Sequence, residues 1–119
     1  MGWNKDTDFE IIFSDDAKGQ LQNILDYIFF ELGNAQAAYN VEQDMKQTIK
    51  MLSHIAGSLK LCENPRLHEL GYRTIHLKHH NYFLLYQIEG NTVYVEAIYH
   101  DLQNYEEIFR LLNQFRYIK

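Results

Sequence analysis

Apolar side chains recur every three or four positions through the first half of the chain, in two runs separated by Gly33. The first run follows Ser14, a good helix N-cap residue, and two acids that suit the positive end of a helix. A glycine just past the last apolar position is typical of a helix end. We therefore predict one helix from Ser14 to Gly33 and a second from Asn34 to Gly57. The predicted core positions are Ala17, Leu21, Ile24, Leu25, Ile28 and Leu32, then Ala38, Val41, Met45, Ile49, Leu52 and Ala56.

The link between the two helices has almost no length, so they must form an antiparallel hairpin. The polar positions of the second helix predict its solvated face, which comprises Asp44, Lys46, Gln47 and Lys50. A short strand, Phe9–Phe13, precedes the hairpin, and the polar residues 1–8 are predicted to fray.

The period changes to two in the second half, which predicts strands at Arg73–Lys78, Tyr82–Ile88 and Thr92–Tyr99. Residues 57–71 are predicted to form a loop that Asn64-Pro65 interrupts, and Gly90-Asn91 is a tight-hairpin signal. The connections are too short for crossovers, so the three strands form an antiparallel meander. In the last strand, alternation puts Val93, Val95 and Ala97 on one face and Tyr94, Glu96, Ile98 and His100 on the other.

A final helical pattern covers Leu102 to Phe115. The chain is thus predicted to be one α+β domain spanning residues 1–119, with the element order β-α-α-β-β-β-α and an antiparallel sheet. The helical hairpin covers one sheet face, and the other face is expected to be partly open, where a site could form.

Composition narrows the range of functions. A net charge of −5 weighs against autonomous binding to bulk nucleic acid. The single cysteine, Cys62, excludes an internal disulfide and a cysteine zinc site, which fits a reduced, cytoplasmic setting. No apolar run is long enough to span a membrane. The histidines show no spacing diagnostic of a metal site, and no cofactor is expected.

Several local motifs occur in the predicted order. Asp26-Tyr27-Ile28, then Glu31-Leu32-Gly33-Asn34 and Ala37-Ala38, lie on the hairpin, Tyr82–Ile88 reads Y-F-L-L-Y-Q-I, and Val93–His100 ends in a histidine. Together they resemble the RelE/ParE superfamily of toxins from bacterial type II toxin–antitoxin systems, especially ParE-like and plasmid-stabilisation members. The resemblance covers nearly the whole chain. It implies that the protein is a toxin neutralised by a cognate antitoxin, with which it would form a hetero-oligomer.

The chain departs from the superfamily's ribosome-dependent mRNA endonucleases. Their basic catalytic set falls on residues that are neither Lys nor Arg, and their catalytic tyrosine falls near Phe109; the replaced positions are Thr74, His76, Phe83 and Gln103. The usual RelE machinery is therefore absent.

The remaining chemistry rests on four residues. RNA cleavage at its own 2′-hydroxyl needs a base, an acid and a cation. We nominate His100 as general acid/base, Arg73 or Lys78 for charge stabilisation, and His76 as the second proton carrier. Strand parity would place His76, Lys78, Glu96 and His100 on one face, although a one-residue slip reverses parity. A structural role for His100 is the competing interpretation.

Three functions stay open at this stage. The toxin could cleave mRNA on the ribosome, it could inhibit DNA gyrase by binding without catalytic residues, or it could be an inactive member that acts only through protein contacts. Each interpretation as a toxin predicts an antitoxin segment that lies across the sheet and the helical hairpin and covers exposed aromatic side chains.

Overall fold

The computed structural model describes residues 8–103. The predicted frayed segment lies almost wholly outside these residues. The predicted last helix also lies outside them, except for Leu102 and Gln103, which belong to the turn and bend after the final strand. The described elements are β1 (Glu10–Phe13), α1 (Asp15–Asp26), a π-helical turn (Tyr27–Glu31), α2 (Ala35–Ile55), a 3-10 turn (Ala56–Ser58), α3 (Pro65–Glu69), β2 (Arg73–His76), β3 (Tyr82–Glu89) and β4 (Thr92–His100).

The four strands form one sheet in the order β1-β4-β3-β2. The predicted antiparallel meander is confirmed for β2, β3 and β4. However, β1 lies parallel to β4, with Glu10 opposite Thr92 and Phe13 opposite Val95, so the sheet is mixed and not wholly antiparallel. The direction of β1 depends on its tertiary neighbour, which side-chain alternation does not specify.

Ser14 joins the start of α1 to the sheet. Its Oγ accepts the Ala17 N–H at 3.0 Å, as predicted for an N-cap, and donates to the Glu96 carbonyl at 2.8 Å. Six residues later the Gln20 side chain accepts the Ile98 N–H at 2.7 Å. The stretch of β4 that extends beyond its partner β1 is therefore hydrogen-bonded by side chains of α1.

The helical hairpin packs on one face of the sheet. Its core includes Leu52 and Ala56 of the helical layer with Leu84, Tyr86 and Val95 of the sheet. The Tyr86 hydroxyl donates to the Ala56 carbonyl at 2.8 Å. Burial raises the pKa of Tyr86 to about 12, against a smaller lowering by Arg73, so the hydroxyl stays a donor at physiological pH.

The opposite sheet face is less open than the sequence suggested. Residues 57–71 were expected to be a loop, but Asn64 caps the short helix α3 by accepting the Arg66 and Leu67 N–H groups, with Pro65 at the first helical position. A second core forms there from Cys62, Leu67, Tyr72, Phe83, Leu85, Ala97 and Tyr99. The segment before β2 therefore covers much of this face.

A β-bulge in β4 overturns the predicted assignment of its faces. Ala97 pairs with Leu85 and Val95 pairs with Tyr86, so Glu96 is an extra residue on β4. Beyond Glu96 the alternation reverses. Ile98 joins Val93 and Val95 in the core on the hairpin side, while Ala97 belongs to the second core.

Asp44 is not on the solvated face of α2, as the sequence suggested, but buried, with 3% exposed. Its Oδ2 accepts the His79 N–H at 2.9 Å and lies 2.7 Å from His80 Nδ1. Burial alone would raise the pKa of Asp44, but these hydrogen bonds outweigh it and hold the pKa below its ordinary value. The carboxylate therefore fastens the turn before β3 to α2.

Replacing Asp44 by asparagine should destabilise the fold by on the order of 2 kcal/mol at pH 7, because a charged acceptor is lost from two hydrogen bonds. Since the native pKa of Asp44 is lowered, its contribution is complete above the unfolded pKa of about 4 and is lost as pH falls through the native value. The stability difference between wild type and Asp44→Asn should therefore narrow below about pH 4, as measured by denaturant unfolding across pH.

Asp26→Asn is the matched control, because Asp26 is exposed and, within residues 8–103, its side chain accepts a hydrogen bond only from Gln22. We expect it to change stability by less than about 0.5 kcal/mol. Equal stability of wild type and Asp44→Asn at pH 7 would contradict the assigned role of Asp44.

Candidate functional site

His76 and His100 lie at the same end of the sheet, on either side of β3. His76 pairs with Phe83, and His100 pairs with Tyr82. Because neighbouring residues of a strand point to opposite faces, the two histidines lie on opposite faces of the sheet. The expectation that they share a face is wrong, and the bulge at Glu96 is the reason, since it reverses the alternation before His100.

His100 is half-buried at the end of β4, on the hairpin side of the sheet. Its ring meets Tyr82 edge-on, with centroids 5.4 Å apart. Its Nδ1 accepts the Leu102 N–H at 3.1 Å, and its own backbone N–H donates to Gln103 Oε1 at 2.7 Å. This histidine thus orders the turn that leaves the sheet.

His76 is the more accessible of the two, with 61% of its side chain exposed. Its Nδ1 lies 3.2 Å from Asp101 Oδ1, and its ring packs against Phe83 at a centroid distance of 5.1 Å. A carboxylate at one ring nitrogen orients an imidazole for proton transfer at the other. In this solvated position, however, the contact with Asp101 adds little stability.

Arg73 lies on the hairpin side, where its guanidinium caps the end of the helical layer. Its Nη1 donates to the carbonyls of Leu59 and Gly57. Arg73 pairs with Tyr86, whereas His100 pairs with Tyr82. These two partners are four residues apart on β3, which corresponds to about 13 Å along the strand. Its charge is therefore directed at backbone carbonyls, well away from His100.

Lys78 is exposed on the turn between β2 and β3, beyond the end of the strand that was predicted to contain it. The four nominated residues are thus distributed over both faces and a turn, and they do not form one cluster. Their catalytic roles stay predictions.

An exposed apolar surface, which sequence reasoning missed, lies at the closed end of the helical hairpin. We call it the hairpin tip; its exposed members are Tyr27, Phe29, Phe30, Leu32 and Tyr39. Leu32 was predicted to be in the core but is 58% exposed, and Phe30 is 71% exposed. The π-helical turn explains this, because its wider spacing, with the Leu32 N–H donating to the Tyr27 carbonyl at 3.1 Å, rotates later residues off the buried stripe.

The hairpin tip borders a pocket of about 410 Å³ between α1 and α2. Phe29, Phe30 and Tyr39 supply aromatic walls, and Asp26 and Glu42 supply carboxylates. The sequence signal for this surface was the pair of consecutive phenylalanines, which does not fit the helical period of the predicted core.

The described part of the chain shows neither a cluster of metal ligands nor a membrane-spanning helix. Among residues 8–103, no group of three His, Cys, Asp or Glu side chains could hold a metal ion. Within the same residues, no helix has the length and apolar character needed to cross a membrane.

Comparisons with known proteins agree with this architecture. The chain is similar to a solved structure described as "Chromosomal ParDE TA system from P. aeruginosa", with a TM-score of 0.64 and 20% sequence identity, over 77% of this chain and 95% of that one. The sequence comparison with curated proteins found no match. The family model described as "ParE toxin of type II toxin-antitoxin system, parDE" matches residues 11–105. The chain therefore belongs to the ParE toxin family of type II toxin–antitoxin systems, in agreement with the resemblance that its motifs suggested.

Proposed function

We propose that this ParE-family chain inhibits growth by binding DNA gyrase in the cytoplasm, and that a cognate antitoxin neutralises it. The observation that favours binding over catalysis is the separation of the nominated acid–base and cationic residues. His76 and His100 lie on opposite sheet faces, and Arg73 is engaged by the carbonyls of Gly57 and Leu59.

RNA cleavage would need a different arrangement. A base, an acid and a cation must reach one phosphate at the same time. Here the backbone positions of Arg73 and His100 are offset by about 13 Å along β3, and the Arg73 guanidinium is turned to the carbonyls of Gly57 and Leu59 instead of to His100. The absence of the superfamily's usual Lys and Arg residues from these strands also favours an inhibitor that acts by occupying its target.

The hairpin tip supplies a surface for the antitoxin. Contiguous exposed aromatic side chains are characteristic of protein-binding sites, and a pocket between two helices suits an inserted helix or strand. Because Asp26 and Glu42 line the pocket, the segment that binds there should combine apolar anchors with flanking basic residues. The similarity to a structure of a ParDE toxin–antitoxin system supports the existence of such a partner.

Expression of the chain without its antitoxin should arrest growth and inhibit DNA supercoiling by gyrase while mRNA stays intact. His76→Ala and His100→Ala should retain this activity, because neither side chain is assigned to chemistry in a binding inhibitor. A gyrase supercoiling assay and mapping of mRNA ends on translating ribosomes measure the two activities, and thermal unfolding confirms that each variant is folded.

Ribosome-dependent mRNA cleavage that is lost in His100→Ala would overturn the gyrase proposal in favour of an endoribonuclease. Absence of toxicity in the wild-type chain would favour a member that acts only through protein contacts.

Phe30→Asp should weaken antitoxin binding by roughly tenfold or more, since it places a charge at an exposed aromatic anchor beside Asp26 and Glu42. Inhibition of growth by the variant alone should persist, but co-expressed antitoxin should no longer suppress it. Calorimetry with the purified antitoxin measures the change in Kd.

Met51→Asp provides the control, because Met51 is a similarly exposed apolar residue of α2 outside the tip pocket, at 48%. Equal antitoxin affinities of the two variants would count against the hairpin tip as the docking surface. Loss of gyrase inhibition with unchanged antitoxin affinity would assign the tip to the target instead.

A further inference from the structure

A second pocket, distinct from the hairpin tip, lies between α2 and the turn that precedes β3. It has a volume of about 340 Å³, and we call it the Asp44 pocket. Every residue that lines it is polar: Asn40, Gln43, Asp44, Gln47, His79 and His80. Such a lining does not suit an apolar ligand and indicates recognition through hydrogen bonds.

Asp44 contributes an acceptor that no donor among residues 8–103 satisfies. Its Oδ2 carries both internal hydrogen bonds, from the His79 N–H and from His80 Nδ1. Its Oδ1 is buried and has no hydrogen-bond partner within the described part of the chain. Buried carboxylate oxygens are normally satisfied, so this one can accept a hydrogen bond from a group outside the chain.

The other lining groups define the charge of that ligand. Gln43 and Gln47 project from the same side of α2 as Asp44, and each carries a side-chain carbonyl that can accept a hydrogen bond. Neither Lys nor Arg lines the pocket, and the lowered pKa keeps Asp44 ionised at neutral pH. The ionised carboxylate disfavours an anion, whereas a cation with several N–H groups would find three acceptors here, Asp44 Oδ1 and the side-chain carbonyls of Gln43 and Gln47.

We propose that the Asp44 pocket binds the guanidinium group of an arginine side chain carried by a protein partner. A guanidinium presents five N–H donors in a plane and is less strongly hydrated than an ammonium, which suits a buried carboxylate beside side-chain amides. Within a polypeptide, arginine also lacks the free α-carboxylate, for which the described lining offers neither Lys nor Arg.

The position of the pocket on α2 fits a protein as the source. Tyr39 and Glu42 line the pocket at the hairpin tip, and Asn40 and Gln43 line the Asp44 pocket. The two pockets thus occupy adjoining faces of the same helical turns, about 6 Å of helix length. A basic segment bound along this part of α2 could reach both, although the proposal holds whichever partner supplies the arginine.

The test is NMR titration of the isolated chain, which does not depend on toxicity or on gyrase. The probe is N-acetyl-arginine methylamide, and His79, His80 and the side-chain amides of Gln43 and Gln47 are the reporters. We expect saturable shifts confined to these signals and weaker binding at high salt. N-acetyl-citrulline methylamide keeps the shape without the charge, and we expect it to bind at least roughly tenfold more weakly. The lysine analogue and free arginine should also bind more weakly.

Two variants connect the signal to the pocket. Asp44→Asn should abolish saturable binding. Because that variant also loses stability, Gln47→Leu provides a second measurement at an exposed position and should weaken binding roughly threefold to tenfold. Asn23→Leu, a comparable change from an amide to leucine at an exposed position of α1 that lines neither pocket, should leave affinity unchanged.

Several results would overturn the proposal. Absence of saturable shifts would mean that Oδ1 is satisfied by water alone. Equal binding of the lysine analogue would remove the preference for guanidinium, and equal or tighter binding of free arginine would point to a small-molecule ligand. Unchanged affinity in Gln47→Leu and in folded Asp44→Asn would place the binding elsewhere.

Discussion

The extra residue at Glu96 is the constraint on which the arrangement of the sheet depends. An additional residue in one strand of an antiparallel pair reverses the facing of everything that follows it. Here the reversal places Ile98 in the core under the helices and Tyr99 in the core under α3. The same stretch of β4 extends beyond β1, and Ser14 and Gln20 of the helical layer bond to its backbone. The start of α1 and the bulged strand therefore support each other.

That constraint also decides what the histidine end of the sheet can do. Without the bulge, His100 would share a face with His76, as simple alternation predicts. With it, His76 pairs with Asp101 on one face, and His100 packs on Tyr82 on the other. This geometry disfavours chemistry that needs two proton carriers at one phosphate. A function in binding does not depend on where the two histidines lie.

The two proposed recognition surfaces lie instead along the helical hairpin. The hairpin tip combines exposed aromatic side chains with two carboxylates, and the Asp44 pocket combines a buried carboxylate with amides and imidazoles. Both present acceptors or negative charge beside helix α2, in a chain whose net charge is −5. A basic partner segment with apolar anchors complements both surfaces.

The sequence by itself determined the helical hairpin, the four strands, their order and the family. Helical spacing located the hairpin, Ser14 and Gly33 marked its first helix, and alternation with Gly90-Asn91 identified the meander. These signals are local, so they can be read along the chain. The Asn64-Pro65 signal is equally local. It was interpreted as a break in regular structure, whereas in the structure it begins α3. Asp44 also had a local signal, since it lies three residues after Val41 and four before Thr48 on the buried stripe.

Only the tertiary structure decided the rest. Strand pairing placed β1 parallel to β4 and introduced the bulge at Glu96, and neither follows from alternation within a single strand. The π-helical turn moved Leu32 out of the core. Burial of Asp44 became favourable because His79 and His80, more than thirty residues away, supply its hydrogen bonds. The hydrogen bond of the π-helical turn is local, but the other outcomes depend on contacts between distant parts of the chain. Those contacts decide which face each residue occupies and which residues it meets.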